Sequence, residues 1–148
     1  MNILVIHGPN LNLLGNREAH LYGTNTLAEI DESLVETGRL HGASVRCVQS
    51  NHEGQLVDWI QEAMTQQVEG ILINPAAFTH TSVAIRDALL ASGIPSVEVH
   101  LSNPHARESF RHRSLIEDIV VARVMGFRKN SYQLGLQGLI DVINQRNI

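Results

Sequence analysis

The chain has 148 residues, of which 43% are hydrophobic and 18% charged, the make-up of one folded domain with its own core rather than a disordered segment. Its formal net charge of −4 and a sequence pI near 6.0 argue against a general nucleic-acid binder. The single cysteine, Cys47, excludes an internal disulfide and any multi-cysteine zinc or iron–sulfur site.

Short apolar runs alternate with helical periodicity along the chain. Ile3-Leu4-Val5-Ile6 reads as a strand covered on both faces. Thr26 with Glu29 three residues on is a capping box, and Leu27, Ile30 and Leu34 continue a helix that closes at Gly42. Val45 and Cys47 alternate as a second strand, and a second helix is expected from Glu53 to Val68. Gly70 to Asn74 is the third strand, stopped by Pro75. Thr81 or Ser82 can cap a helix that ends at Gly93, and Ser96 to His100 is the fourth strand. Ser114 to Val121 reads as helical, Ala122 to Phe127 fits either more helix or an edge strand, and Tyr132 to Gln145 is a final helix. Strands spaced by such helices build a parallel sheet wound on both faces. The expectation is an α/β, flavodoxin-like three-layer sandwich with a five-stranded parallel sheet.

In open parallel sheets, ligands bind at the carboxyl ends of the strands. Here those exits are His7-Gly8-Pro9-Asn10, Asn74-Pro75-Ala76-Ala77 with Thr79-His80-Thr81, and Glu98-Val99-His100 with Leu101-Ser102-Asn103. Amides, imidazoles and hydroxyls should converge there, with Arg107, Arg111 and Arg113 shortly after. Such a rim suits a polyhydroxylated anion. Residues two apart on a strand share a face, so Glu98 can orient His100 as a proton donor, although a strand-end histidine is more often a capping or satisfied core residue than an acid. The arginine run is equally readable as a solvated helix start.

The segment from Asn10 to Asn25 is too long for an ordinary turn and reads as a lid or binding loop. It offers Arg17 and Tyr22. Tyrosine is a poor base at its reference value of about 10, and a nearby guanidinium lowers that value; the plain alternative is that Tyr22 packs on the loop's leucines. The eight histidines show no metal-ligand spacing, and no phosphate-loop motif is present. No metal and no cofactor are therefore expected. Lys129 is the only lysine and sits in the polar stretch Arg128-Lys129-Asn130. From Met1-Asn2-Ile3-Leu4 onward there is no basic leader and no membrane-length apolar run, so the expected setting is cytoplasmic, with no membrane and no nucleic-acid partner.

Several ordered motifs together resemble the type II 3-dehydroquinate dehydratase family over nearly the whole chain. They are residues 7–15 (His-Gly-Pro-Asn-Leu-Asn-Leu-Leu-Gly), Arg17-Glu18, Tyr22-Gly23, Gln49 to Gly54, Ile73 to Ala77 with Thr79 to Ser82, Glu98 to Asn103, and His105 to Glu108 with Phe110-Arg111. Ala19 departs from the proline common after Arg-Glu, and Gly-Phe-Arg-Lys-Asn at 126–130 is more basic than the glycine-rich turn usual there. The resemblance implies a single catalytic domain over 1–148 with a lid around 10–25, a fifth strand at Ala122 to Phe127, and loss of water from 3-dehydroquinate through an enolate to give 3-dehydroshikimate. It casts Tyr22 as the base, Arg17 as the cation that keeps Tyr22 ionised, Asn10 as an enolate holder, and His100 backed by Glu98 as the acid. Asn74, His80, Asp87, Leu101, Ser102 and Arg111 correspond to substrate contacts. A homo-oligomer, a dodecamer built from trimers, is also implied, in either aromatic biosynthesis or quinate breakdown. The rival reading is a flavodoxin-like binding or receiver module without catalysis. A receiver, however, wants clustered acids at the first and third strand exits, where this chain has His7-Gly8-Pro9-Asn10 and Asn74-Pro75.

Overall fold

The computed structural model describes residues 1–16 and 18–147. In chain order the elements are β1 (Asn2–His7), α1 (Ala19–Tyr22), α2 (Leu27–Leu40), β2 (Ser44–Gln49), α3 (Glu53–Ala63), β3 (Gly70–Asn74), α4 (Val83–Ser92), β4 (Ser96–His100), β5 (Ala122–Met125) and α5 (Lys129–Arg146), with short 3-10 turns between some of them. The five strands pair in parallel in the order β2-β1-β3-β4-β5. This is the flavodoxin-like architecture that the alternation of runs predicts.

Period-two alternation divides β1 between two cores. Ile3 and Val5 pack with residues of α2 and α5, including Leu34, Leu136 and Leu139. Leu4 and Ile6 pack on the opposite face with Leu56 and Ile60 of α3 and with Ile85 and Leu89 of α4. All four β1 residues are buried, as a strand covered on both sides requires. The predicted caps form. Thr26 accepts from the Glu29 N–H at 3.2 Å while the Glu29 carboxylate accepts from the Thr26 N–H, and the Ser82 hydroxyl accepts from the Ile85 N–H at 2.9 Å.

Four expected elements differ. The second helix ends at Ala63 rather than Val68, because Gln67 takes a left-handed φ of 55° and turns the chain so that the Glu69 N–H meets the Asn2 carbonyl. Ser114 to Val121 forms turns, not a helix. Its two ends are tied to other parts of the chain, the Leu115 N–H donating to the Thr79 carbonyl and the Val121 N–H to the Ser96 carbonyl, and a helix through Val121 would surrender the second of these. The last strand stops at Met125, two residues short of the family expectation, and α5 starts three residues before Tyr132.

Arg128 precedes α5 at φ 53°, ψ −134°, a conformation that favours glycine and costs a side-chain-bearing residue about 1–3 kcal/mol. Its N–H donates to the Leu101 carbonyl at 2.9 Å, and the carbons of its stem lie against Gly23. Arg128→Gly keeps the backbone bond and removes the strain, so the denaturant midpoint should rise by the equivalent of about 1 kcal/mol. A lower midpoint would mean that the stem's packing against Gly23 outweighs the strain.

Candidate active site

The site lies where β1, β3 and β4 end. Gly8 leaves β1 so close to β3 that an added Cβ would sit 2.4 Å from the Pro75 carbonyl oxygen, so this position has room only for glycine. The Gly8 N–H donates to the Asn74 carbonyl at 2.8 Å and closes the floor. Above it opens a cleft of about 130 Å³. Asn10 and Tyr22 line it from the segment after β1, Asn74 and His80 from the exit of β3, and His100, Leu101, Ser102, Arg107 and Arg111 from the exit of β4. The chemistry is that of the predicted rim: hydroxyl and amide partners with two guanidinium groups.

Glu98 and His100 share a face of β4, as their spacing predicts. His100 Nε2 lies 2.6 Å from Glu98 Oε1. Glu98 is fully buried, and its second oxygen accepts from the Ser114 hydroxyl at 2.9 Å and from Arg123 Nε at 3.0 Å. Burial pushes the Glu98 carboxyl up, but its hydrogen bond to His100, the charges of His100 and Arg123, and the Ser114 hydroxyl outweigh that and hold it below its ordinary value of 4.5. A buried carboxylate held ionised fixes the Nε2–H of His100, which leaves Nδ1 as the ring nitrogen free to face the cleft.

His80 is held differently. Burial drives its pKa below the ordinary 6.5, against the pull of its hydrogen bond to the Arg113 carbonyl at 2.8 Å, and the neighbouring His100 and Arg111 charges lower it further. Its Nδ1–H donates to that carbonyl, so the neutral ring offers Nε2 as an acceptor. Arg107 donates to the Ser102 hydroxyl at 3.2 Å, and its guanidinium carbon lies 5.3 Å from the centre of the Tyr22 ring. Arg111 pairs with Glu108 beside it.

Of the residues singled out from sequence, Asn10, Tyr22, Asn74, His80, His100, Leu101, Ser102 and Arg111 meet in this cleft, with Glu98 behind His100. Asp87 does not. It sits exposed on α4 and lines a separate depression with Arg86, Arg113 and Asp118. Arg17 lies outside the described residues. His7, counted among the rim imidazoles, is fully buried beneath the cleft instead of lining it. Arg113 faces away, whereas Arg107 belongs to the cleft. The positions that sequence reasoning missed are Ser114 and Arg123, the partners of Glu98, and Tyr132, whose hydroxyl meets both His7 and Asn74. Ser114 and Arg123 are 16 and 25 residues from Glu98, beyond the reach of any local pattern.

The expectation of no metal-ligand cluster meets one grouping among the described residues: donor atoms of His7, Asp31 and Cys47 lie within 4.8 Å of one another. Burial, the Asp31 charge and a hydrogen bond to Asp31 all push the Cys47 thiol up. A protonated thiol on a hydrogen-bonded His–Asp pair is a satisfied polar cluster, and the half-buried Cys47 also packs against the α2–α5 core.

Residues 1–140 match the family model described as Dehydroquinase class II. A curated 3-dehydroquinate dehydratase from Hahella chejuensis is 55% identical over 142 residues, covering 96% of this chain and 97% of its own. One from Acaryochloris marina is 58% identical over 139 residues, covering 94% and 93%. The crystal structure of a type II dehydroquinase from Butyrivibrio crossotus superposes with a TM-score of 0.91 at 43% identity, covering 97% of each chain.

Because the Glu98 carboxyl is held below 4.5, its contribution to stability is present above that value and is lost as pH falls through its folded value. Glu98→Gln should therefore lower unfolding free energy by about 3 kcal/mol near neutral pH, where Arg123 loses its buried partner. The deficit should be complete above about pH 5.5 and shrink below 4.5. Denaturant titrations across that range would show it; a deficit independent of pH would place the effect elsewhere.

Proposed function

The chain belongs to the class II dehydroquinase family, and from that premise we propose how its cleft works. The activity is that of a hydro-lyase, a 3-dehydroquinate dehydratase that removes water from 3-dehydroquinate to give 3-dehydroshikimate, in the shikimate route to aromatic amino acids. The observation that carries this reading is the meeting of Tyr22 and the Glu98-backed His100 in one cleft with Asn74 and Arg111.

Tyr22, as phenolate, takes the proton next to the ketone and leaves an enolate. Cations favour a phenolate; Arg107 stands 5.3 Å from its ring centre, and Arg17 on the same loop is the second cation proposed. Asn10 holds the enolate oxygen. His100 then gives a proton held on its cleft-facing Nδ1 to the departing hydroxyl, which leaves as water while the enolate electrons form the new double bond. The proton gained by Tyr22 and the one lost by His100 balance over the turnover. Asn74, His80, Ser102, Arg111 and the backbone of Leu101 hold the hydroxyls and carboxylate. A Schiff base needs a lysine in the cleft, and Lys129, at the exposed start of α5, does not line it.

We assign the whole chain to one catalytic domain with the segment around 10–25 as its lid, and its address to the cytoplasm. The assembly proposed is a dodecamer of trimers. Two features of α4 support burial of that helix against a further copy: Val83 and Leu90 are exposed apolar residues, and they share a helix face with Asp87 at i, i+4 and i+7. Asp87 would then meet a substrate only across a subunit contact.

Tyr22→Phe keeps the ring and deletes the acceptor, so turnover should fall by at least about a thousandfold with the thermal midpoint nearly unchanged. Arg17→Ala should also cripple turnover, and Arg17→Lys should rescue it poorly, since an ammonium lacks the planar fork. Near-normal turnover by Tyr22→Phe would remove tyrosine from the mechanism.

A further inference from the structure

We propose that Asp31, His7 and Tyr132 form a hydrogen-bond relay of one polarity that fixes the side-chain amide of Asn74 in the orientation the substrate meets, which makes them positioning residues that lie outside the cleft. The proposal rests on the reading of Asn74 as a substrate anchor and deepens it.

The relay runs through the buried layer beneath the floor. Asp31, on α2, has a carboxylate oxygen 2.7 Å from His7 Nε2. His7 Nδ1 lies 2.8 Å from the Tyr132 hydroxyl, and the Asn74 amide nitrogen lies 3.1 Å from the same oxygen. At the far end, Asn74 Oδ1 accepts from the Ala76 N–H at 3.1 Å. His7 and Tyr132 are fully buried, Asn74 is nearly so, and β1–β3 pairing sets His7 level with Asn74. Of these five residues only Asn74 and Ala76 reach the cleft.

The donors and acceptors allow a single direction. The Ala76 N–H can only donate, so the Asn74 oxygen is the atom facing it and the NH2 group is the atom facing Tyr132. The Tyr132 oxygen thus accepts from Asn74, and its own proton must find another acceptor. Burial pushes the Tyr132 hydroxyl far up, so that proton stays in place. Its remaining neighbour in the relay is His7 Nδ1, which must therefore be the unprotonated nitrogen. His7 then carries its proton on Nε2, where the Asp31 carboxylate accepts it. Reversing any link forces either two donors or two acceptors together in a buried layer, a penalty that makes the whole chain act as a unit. Asp31 selects the His7 tautomer, the tautomer orients the Tyr132 proton, and Tyr132 denies the Asn74 amide its flipped alternative. What reaches the cleft is one Asn74 N–H and one lone pair of Oδ1 in fixed places.

An orientation fixed in the free protein serves bound substrate and transition state alike, so its loss raises KM and leaves kcat nearly alone. The test is steady-state dehydration by the assembled, full-length protein carrying Asp31→Ala, Tyr132→Phe, Asn74→Ala and the doubles, with thermal midpoints recorded alongside. Asp31→Ala should raise KM about three- to tenfold with kcat within about twofold, and Tyr132→Phe should do the same. Once Tyr132→Phe has cut the chain, adding Asp31→Ala should change KM no further. Additive effects in that double, or an unchanged KM in Asp31→Ala, would overturn the relay. If Tyr132→Phe does not fold, Asp31→Ala in the Asn74→Ala background decides: no further change in KM supports the relay, and a further rise overturns it. The Asn74→Ala single separates the two levels. A raised KM there with a normal KM in Asp31→Ala fails the relay alone, whereas a normal KM in Asn74→Ala fails the anchor and the relay with it.

Discussion

The parallel pairing of β1 with β3 is the constraint on which the rest of the site depends. It sets His7 level with Asn74 and brings the two strand exits so close that Gly8 has no room for a side chain. Because β1 is an interior strand with β2 on its other side, the chain must leave β1 in one direction and β3 in another, and the crevice between them becomes the cleft. Burial of β1 on both faces holds this register: a slip of one residue would move Leu4 and Ile6 from the α3–α4 core to the α2–α5 core and remove His7 from Asn74.

Around that floor the charges are arranged so that few groups have to move during turnover. Glu98 is committed to His100, Ser114 and Arg123 before any ligand arrives. His80 is tied through Nδ1 to a backbone carbonyl, which leaves a neutral acceptor beside the Arg111 guanidinium. Dipoles set in advance need no reorganisation when charge develops on an enolate and a leaving hydroxyl. The segment proposed as a lid is the contrasting part: α1 is a single short turn of helix carrying Tyr22, which suits a segment proposed to admit substrate and then bring a base to it.

Much of this was legible in the sequence because it is local. The Thr26–Glu29 capping box, the Ser82 cap, the alternation in β1 and the same-face pair Glu98 and His100 all lie within a few residues of one another, and each forms as read. The strand-exit rule then brought Asn10, Asn74 and His100 to one rim without knowledge of the strand order. Failures came where tertiary partners decide. Ser114 to Val121 has helical periodicity, yet the N–H groups of Leu115 and Val121 are claimed by the Thr79 and Ser96 carbonyls. Arg107 and Arg113 look alike in sequence, and only the turns from Pro104 to Arg111 send one into the cleft and the other away from it. His7 reads as a rim imidazole, but Asp31 and Tyr132, 24 and 125 residues away, hold it under the floor.

The reaction proposed for this cleft is dehydration of a β-hydroxy ketone through an enolate held by fixed dipoles, with no covalent link to lysine. Purified protein treated with borohydride in the presence or absence of 3-dehydroquinate, freed of the reagent and then assayed with fresh substrate, tests it directly through enone absorbance and intact-protein mass. Enone absorbance should then grow equally fast in both samples, and the protein should have gained no mass. Absence of an enone product, or a borohydride-trapped adduct at Lys129 with loss of activity, would contradict it.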